Sequence, residues 1–264
     1  MNHEHEEIVK MNKKAWDRYV DNGNHWTVPV NPLEIANARD KGIFQIILTP
    51  TIPVPRNWFP ETLKDSNVLA LASGGGQQAP ILAALGANVT VFDNSPKQLA
   101  RDREVALREN LEMTYIEGDM MDLSQFHNDS FDFIFHPCSN SFIPEVKGVW
   151  KECFRLLKKG GLLLSGFCNP IIFTPDFALE KKGIVQLKYP IPYSDLHSIS
   201  EKEREVYFGK EEPLCFGHSL EDQIGGQLKA GFHLIDFYED GWNESAGAIH
   251  KFLKCYMATK ALKP

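Results

Sequence analysis

Between residues 67 and 169 the chain alternates short β-type runs with helical stretches, and this alternation leaves few folds open. The strands read at 67–72, 88–93, 113–117, 131–136 and 162–167. A helix at 77–85 lies between the first two and closes at Gly86, placed as a left-handed C-terminal residue. The next helix opens with Ser95 as cap, Pro96 at the first helical position and Gln98 three residues after the cap. A third spans 144–158 and ends at Gly160-Gly161. Repeated β-α units require right-handed crossovers and a parallel sheet, so the expected fold is a doubly wound α/β domain.

The flanks have a different texture. Residues 1–66 start with a helical stretch from 6 to about 19, with Ile8, Val9, Trp16 and Val20 as apolar members. Six of the sixteen prolines then fall between Pro29 and Pro60, a density that stops helix and inner strand alike. We read 1–66 as an ordered arm or cap outside the sheet that closes over the substrate together with the 170–217 insertion, with His3-Glu-His5-Glu-Glu7 as a frayed end. Residues 67–264 form the main domain, interrupted at 170–217 by an insertion that caps the substrate and carries strand-like pieces at 184–189 and 205–208. Ser219 and Asp222 cap a helix at 220–230 that ends at Gly231. Two β-type runs, 233–238 and 252–258, finish the sheet as an antiparallel hairpin.

Charge narrows the function. With 28 Lys+Arg against 35 Asp+Glu the formal net charge is −7, which repels a phosphate backbone and argues against nucleic acid as partner. The first ten residues are polar, and no apolar run approaches the roughly 18 residues of a membrane span. A cytoplasmic location without membrane insertion is expected. Five cysteines without a C-x-x-C pair suit neither a disulfide framework nor a zinc site, and no metal is expected.

Three elements in register carry the chemistry. The run Val68-Leu-Ala-Leu-Ala-Ser-Gly-Gly-Gly-Gln-Gln-Ala-Pro80 is a buried strand, three glycines and a helix start. Gly74, Gly75 and Gly76 lie at the carboxyl end of the first strand, where open α/β sheets bind ligands and where a missing Cβ lets a ligand approach. Asp93, nineteen residues after Gly74, ends the second strand and is placed to accept from both hydroxyls of a ribose. Gly118-Asp119-Met120-Met121-Asp122 follows the third strand, where a carboxylate and backbone amides can read an adenine edge. Gly74-x-Gly76-x-x-Ala79 also fits the dinucleotide fingerprint, so a nicotinamide-dependent oxidoreductase is a rival. It lacks a second mononucleotide half, because an insertion and a hairpin follow strand five.

With these residues the sequence resembles the class I S-adenosylmethionine-dependent methyltransferases, in the small-molecule branch that includes the ubiquinone and menaquinone-biosynthesis enzymes. Val68–Gly76 is similar to the family's first motif, Phe92-Asp-Asn-Ser-Pro96 to its ribose-binding strand end, and residues 118–123 to its adenine segment. Phe131-Asp-Phe-Ile-Phe-His136 matches the fourth strand, and Leu156-Leu-Lys-Lys-Gly-Gly161 the turn before the fifth. The family commonly has an acid where Ala70 stands and a glycine where Ala72 stands. The resemblance implies a seven-stranded sheet, mostly parallel with an antiparallel last strand. It implies S-adenosylmethionine across the strand tips, held by Ser73, Gly74, Gly75, Gly76, Gln78, Asp93, Asn94, Gly118, Asp119, Met120 and His136.

Methyl transfer from a sulfonium is an in-line displacement, and a base is needed only if the nucleophile must lose a proton. His136, in His136-Pro-Cys-Ser-Asn140, is the candidate base; its alternative is a backbone or structural role. Cys138 has no identifiable partner and reads as a small buried hydrophobe. Candidate substrate contacts are Trp26, Trp58, Asn140, Tyr193 and His218. For Trp26, Trp58 and Phe59 the alternative is anchoring of the arm; for Tyr193 and His218 it is a turn or cap role. The expected activity is methyl transfer to an unidentified small molecule. A cofactor-binding module without catalysis is the third reading.

Overall fold

The computed structural model describes residues 3–264. Two helices precede the sheet: α1 (His3–Asp21) and α2 (Pro32–Lys41). The central strands and helices follow as β1 (Asn67–Leu71), α3 (Ala79–Ala84), β2 (Asn88–Asp93), α4 (Pro96–Glu109), β3 (Met113–Glu117), β4 (Phe131–His136), α5 (Lys147–Leu156) and β5 (Leu157–Cys168). The insertion holds α6 (Phe177–Glu180), β6 (Tyr193–Ser194), α7 (Glu201–Tyr207) and β7 (Phe216–Gly217). The chain ends with α8 (Gly226–Ala230), β8 (His233–Asp240) and β9 (Tyr256–Leu262).

Seven strands form one sheet in the order β3-β2-β1-β4-β5-β9-β8. β1 pairs in parallel with both β2 and β4, and β9 runs antiparallel to β5 and β8. The order reverses between β1 and β4, which puts the switch point, and hence the ligand crevice, at the carboxyl ends of these two strands. Val68, Leu69, Ala70 and Leu71 are sealed on both faces, as parallel strands covered by helices must be. One face packs against α5 and α8 through Leu69, Leu71, Ile134, Trp150 and Phe232. None of the described helices is long and apolar enough to cross a membrane.

The opposite face carries the main departures from sequence expectation. The proline-rich segment supplies core: Ile35, Ile46, Leu48, Trp58 and Phe59 pack against Val68, Val91 and Phe133. It also contains a full helix, α2, because Pro32 stands at the first helical position and Asn31 and Glu34 form a reciprocal capping box. Residues 3–7 are not frayed but belong to α1. α1 is docked along its length, with His5, Ile8, Asn12 and Ala15 buried.

Other elements also differ from expectation. α5 ends at Leu156, and residues 157–161 already belong to β5, where Leu157 pairs with Phe131. Residues 205–208, read as strand-like, fall within and just beyond α7, started by the Ser200–Glu203 capping box; 184–189 forms only a bridge between Leu187 and Pro175. The last strand lies about four residues later than expected, and the 220–230 helix begins as a π-helical turn at Glu221–Gly225.

Candidate active site

The tips of β1, β2, β3 and β4 open into a cavity of about 700 Å³, within the range of small-molecule sites. Ser73, Gly74, Gln78, Asp93, Asn94, Gly118, Asp119 and Met120 all line it. The three expected elements therefore meet on one wall. Gly74 N–H donates to Asp93 Oδ2 at 2.9 Å, Ser95 N–H donates to Asp93 Oδ1 at 2.9 Å, and Gly118 N–H donates to the Asp93 carbonyl at 3.0 Å. Burial pushes the Asp93 carboxyl up to about 6. Two polar atoms on this wall, Ser73 Oγ and Gln98 Oε1, are buried without a partner among the described residues. Buried polar atoms are normally paired, so the wall is built for a polar ligand.

Gly75 and Gly76 lie outside the cavity. Gly75 N–H donates to Asp102 Oδ2 at 3.0 Å, and a Cβ on Gly76 would stand 2.9 Å from the Arg101 carbonyl. Their role is to let the turn press against α4. Ala72, where the family has glycine, holds φ at +47° and donates its N–H to Phe92 O at 2.7 Å. Ala70 is sealed in the core. Gln77 gives its amide to the carbonyls of His25 and Val28, tying the arm to the turn.

His136 is placed differently from a base. Its ring is fully buried and does not line the cavity; Nδ1 stands 2.9 Å from Leu71 O and Nε2 2.5 Å from Asn140 Oδ1. Burial lowers its pKa from the ordinary imidazole value, while the bonds to Leu71 O and Asn140 oppose the shift. Asn140 continues inward through Gln223 and accepts from His218 Nε2 at 3.0 Å on its carbonyl. Asn140 and His218 thus form a buried polar network behind the cavity wall rather than a substrate contact. Trp58 is 1% exposed and donates its indole N–H to Asp236 at 2.7 Å, anchoring the arm to β8. Phe59 packs in the same core. Tyr193 stacks on Phe173 and donates to Asp195 at 2.8 Å, inside the insertion's own core. Of the five candidate substrate residues, only Trp26 lines the cavity, with its ring 5.4 Å from Trp242.

The sequence reading had the arm close over the substrate but named none of the contacts that α1 makes at the strand tips. α1 crosses the strand tips: His5 Nε2 is 2.5 Å from Asp119 Oδ2, Asn94 donates to Val9 O at 3.0 Å, and Ser95 Oγ donates to Asp17 at 2.6 Å. α1 also holds the insertion through Asn12, which donates to Leu214 O and accepts from Leu214 N. Asp102 was legible in principle, because an acid stands between Leu99 and Val105 in the apolar stripe of α4. Gln98 was read as a capping residue; Ser95 does cap its N–H, but the Gln98 side chain turns to the cavity.

All five cysteines are free, and Cys138, Cys168 and Cys215 line the cavity. Contact with Cys168 and burial hold the Cys138 thiol well above its ordinary range, and burial does the same for Cys215. Thiols in this state are poor nucleophiles. At pH 7.5 iodoacetamide is expected to modify Cys138 and Cys215 in the folded protein at least about tenfold more slowly than after unfolding, read by peptide mass spectrometry.

The chain is similar to known proteins in both sequence and fold. A family model described as "Methyltransferase domain" matches residues 69–165. The chain is 46% identical over 256 residues to the uncharacterized methyltransferase YbaJ of Bacillus subtilis (strain 168), covering 97% of this chain and 98% of that one. The chain belongs to the S-adenosylmethionine-dependent methyltransferase family. A ubiquinone biosynthesis O-methyltransferase of Xanthomonas oryzae pv. oryzae is 29% identical over 136 residues, 51% of this chain and 56% of that one. In fold, an S-adenosylmethionine-dependent methyltransferase from Mesorhizobium loti is similar with a TM-score of 0.60 at 18% identity, over 78% of this chain and 94% of that one.

Proposed function

We propose that this methyltransferase acts on a small-molecule acceptor, with S-adenosylmethionine along the β1–β3 wall and the acceptor under α1 and the insertion. The observation that carries the reading is the convergence of Asp93, Gly118, Asp119 and the unpartnered Ser73 Oγ and Gln98 Oε1 on one side of the cavity. Asp93 would accept from the ribose hydroxyls, and the 118–120 segment would border the adenine. Ser73, Gln78 and Gln98 are the polar groups left for the methionine end. Bound there, S-adenosylmethionine supplies an electrophilic methyl group on a sulfonium. The chain's own work is then positioning and exclusion of water: α1 closes the tips, and Phe142, Phe173 and Phe177 wall the remaining space.

The buried network from Leu71 O through His136 to Asn140 would fix the β4 end as a wall rather than supply a base. The deciding test is calorimetric titration with S-adenosylmethionine, S-adenosylhomocysteine and NADH in parallel. Micromolar binding of the first two and none of NADH is expected. Binding of NADH alone would overturn the reading, and binding of both adenosyl ligands without turnover of any acceptor would favour a non-catalytic module.

A further inference from the structure

The acceptor side of the cavity has a one-sided charge inventory. Five carboxylates line the cavity, Asp93, Asp119, Glu180, Asp195 and Glu212, and no Lys or Arg is among the lining residues. Asp93 and Asp119 belong to the wall assigned to the cofactor. On the other side, Asp195 is held by Tyr193 OH, the Cys215 N–H and Arg204, whose Nε is 3.5 Å away. Glu212 takes Arg18 Nη2 at 2.6 Å and the Tyr19 hydroxyl. Glu180 has only the Ile249 N–H, at 3.2 Å, and makes no ion pair among the described residues. The neighbouring Lys181 does not serve it, because its Nζ is bound to the carbonyls of Val206 and Tyr207.

Glu180 stands at the end of α6, among aromatic rings. Phe177 meets Phe208 at 4.9 Å and Tyr207 at 6.0 Å, and all three line the cavity. His250, one residue after the Ile249 amide, also lines it, and burial lowers its pKa, so it adds no positive charge at neutral pH. Aromatic faces attract cations, and a partly desolvated carboxylate without a counter-ion favours one further. Lys181 Nζ, held by the two carbonyls, stands 5.6 Å from the centre of the Tyr207 ring but is not among the lining residues. An anionic acceptor would therefore meet no basic side chain lining the cavity and would face the Glu180 carboxylate, which has no counter-ion among the described residues.

On the strength of the methyltransferase reading above, we infer that the acceptor carries a cationic ammonium group on an apolar body, with Glu180 receiving the ammonium and the Phe177–Tyr207–Phe208 rings receiving the body. Glu180 is thereby a specificity-determining residue for the acceptor.

The test compares three probes with one body, 3-phenylpropylamine, 3-phenylpropanol and 3-phenylpropionate. Each is titrated calorimetrically into protein saturated with S-adenosylhomocysteine. The amine is expected to bind at least about tenfold tighter than the alcohol, the difference between a charge-assisted and a neutral hydrogen bond, and the acid more weakly still. Glu180→Gln, with Glu180→Ala as a second variant, is expected to bring amine and alcohol to within about threefold of each other. S-adenosylhomocysteine binding by each variant reports that it is folded. Equal binding of amine and alcohol by the native protein, no binding of the amine, preference for the acid, or an amine preference that survives both substitutions would overturn the inference. Failure of the native protein to bind S-adenosylhomocysteine would instead sink the methyltransferase reading.

Discussion

Asp93→Ala is expected to weaken S-adenosylmethionine binding by about 2–4 kcal/mol, roughly 30- to 1000-fold, in a protein that still folds. The carboxylate sits at the tip of β2 with one oxygen on the Gly74 amide and the other on the Ser95 amide, so its orientation is fixed before any ligand arrives. Each oxygen keeps a lone pair for a ribose hydroxyl. Asp93→Asn keeps the shape but only one acceptor oxygen, and an intermediate loss is expected. The pH dependence has a definite sign. Burial raises the free carboxyl to about 6, with the negative charge of Asp17 adding to the rise. Asp102, buried behind the glycine turn, is held well above the carboxylate range by its own burial and by Asp93. Only the ionised form of Asp93 accepts from two hydroxyls, so affinity is full above pH 6 and falls as pH drops through 6, by up to about tenfold per unit. Titrations of Asp93→Asn over the same range cancel any titration of the ligand itself and should lack this fall. Unchanged affinity in a folded Asp93→Ala variant would sink the ribose assignment.

How far the sequence carried this site depends on whether a residue's role is set locally. β1 was legible because a doubly buried parallel strand reads as a continuous apolar run, β2 and β4 by their apolar residues around Thr90 and Asp132, and the turn after β1 was marked by three glycines. Asp93 and Asp119 followed, since the end of a parallel strand in this fold points into the crevice. The direction of a side chain past the strand end is not set locally. His136, Asn140 and His218 looked available and instead bond to one another and to Leu71 O behind the wall. α2 and α7 were missed although both carry their capping boxes, Asn31 with Glu34 and Ser200 with Glu203. Proline density and a short apolar alternation outweighed a two-residue signal. The roof over the cavity is the least legible part. It exists because Asn12 finds Leu214 and Arg18 finds Glu212, partners about two hundred residues apart that no local pattern pairs.

The arm's role as a cavity wall, rather than as cover over a finished domain, leads to the second large effect, Gly166→Ala. Gly166 pairs with Ala258 in the β5–β9 ladder, and the backbone of Leu48 lies directly against it. A Cβ at Gly166 would stand 2.1 Å from Leu48 O, far inside van der Waals contact, and the obstacle is backbone that cannot rotate away. The same carbonyl accepts the Cys138 N–H at 3.1 Å, at the tip of β4. Leu48, 1% exposed, also packs in the core and lines the cavity. Lifting the arm to admit one methyl group therefore breaks a buried hydrogen bond, opens packed core and shifts the cavity wall together. A loss of about 3 kcal/mol or more follows, or roughly 6–12 °C in melting temperature for a chain of this size. Gly241→Ala is the matched control, because a Cβ there meets nothing within 4 Å and its φ lies outside the left-handed range. Thermal unfolding of the two variants in parallel separates a general cost of losing glycine from this one contact. Equal melting temperatures would mean that the arm yields freely at Leu48, and the cavity wall would then have to be held by α1 and the insertion alone.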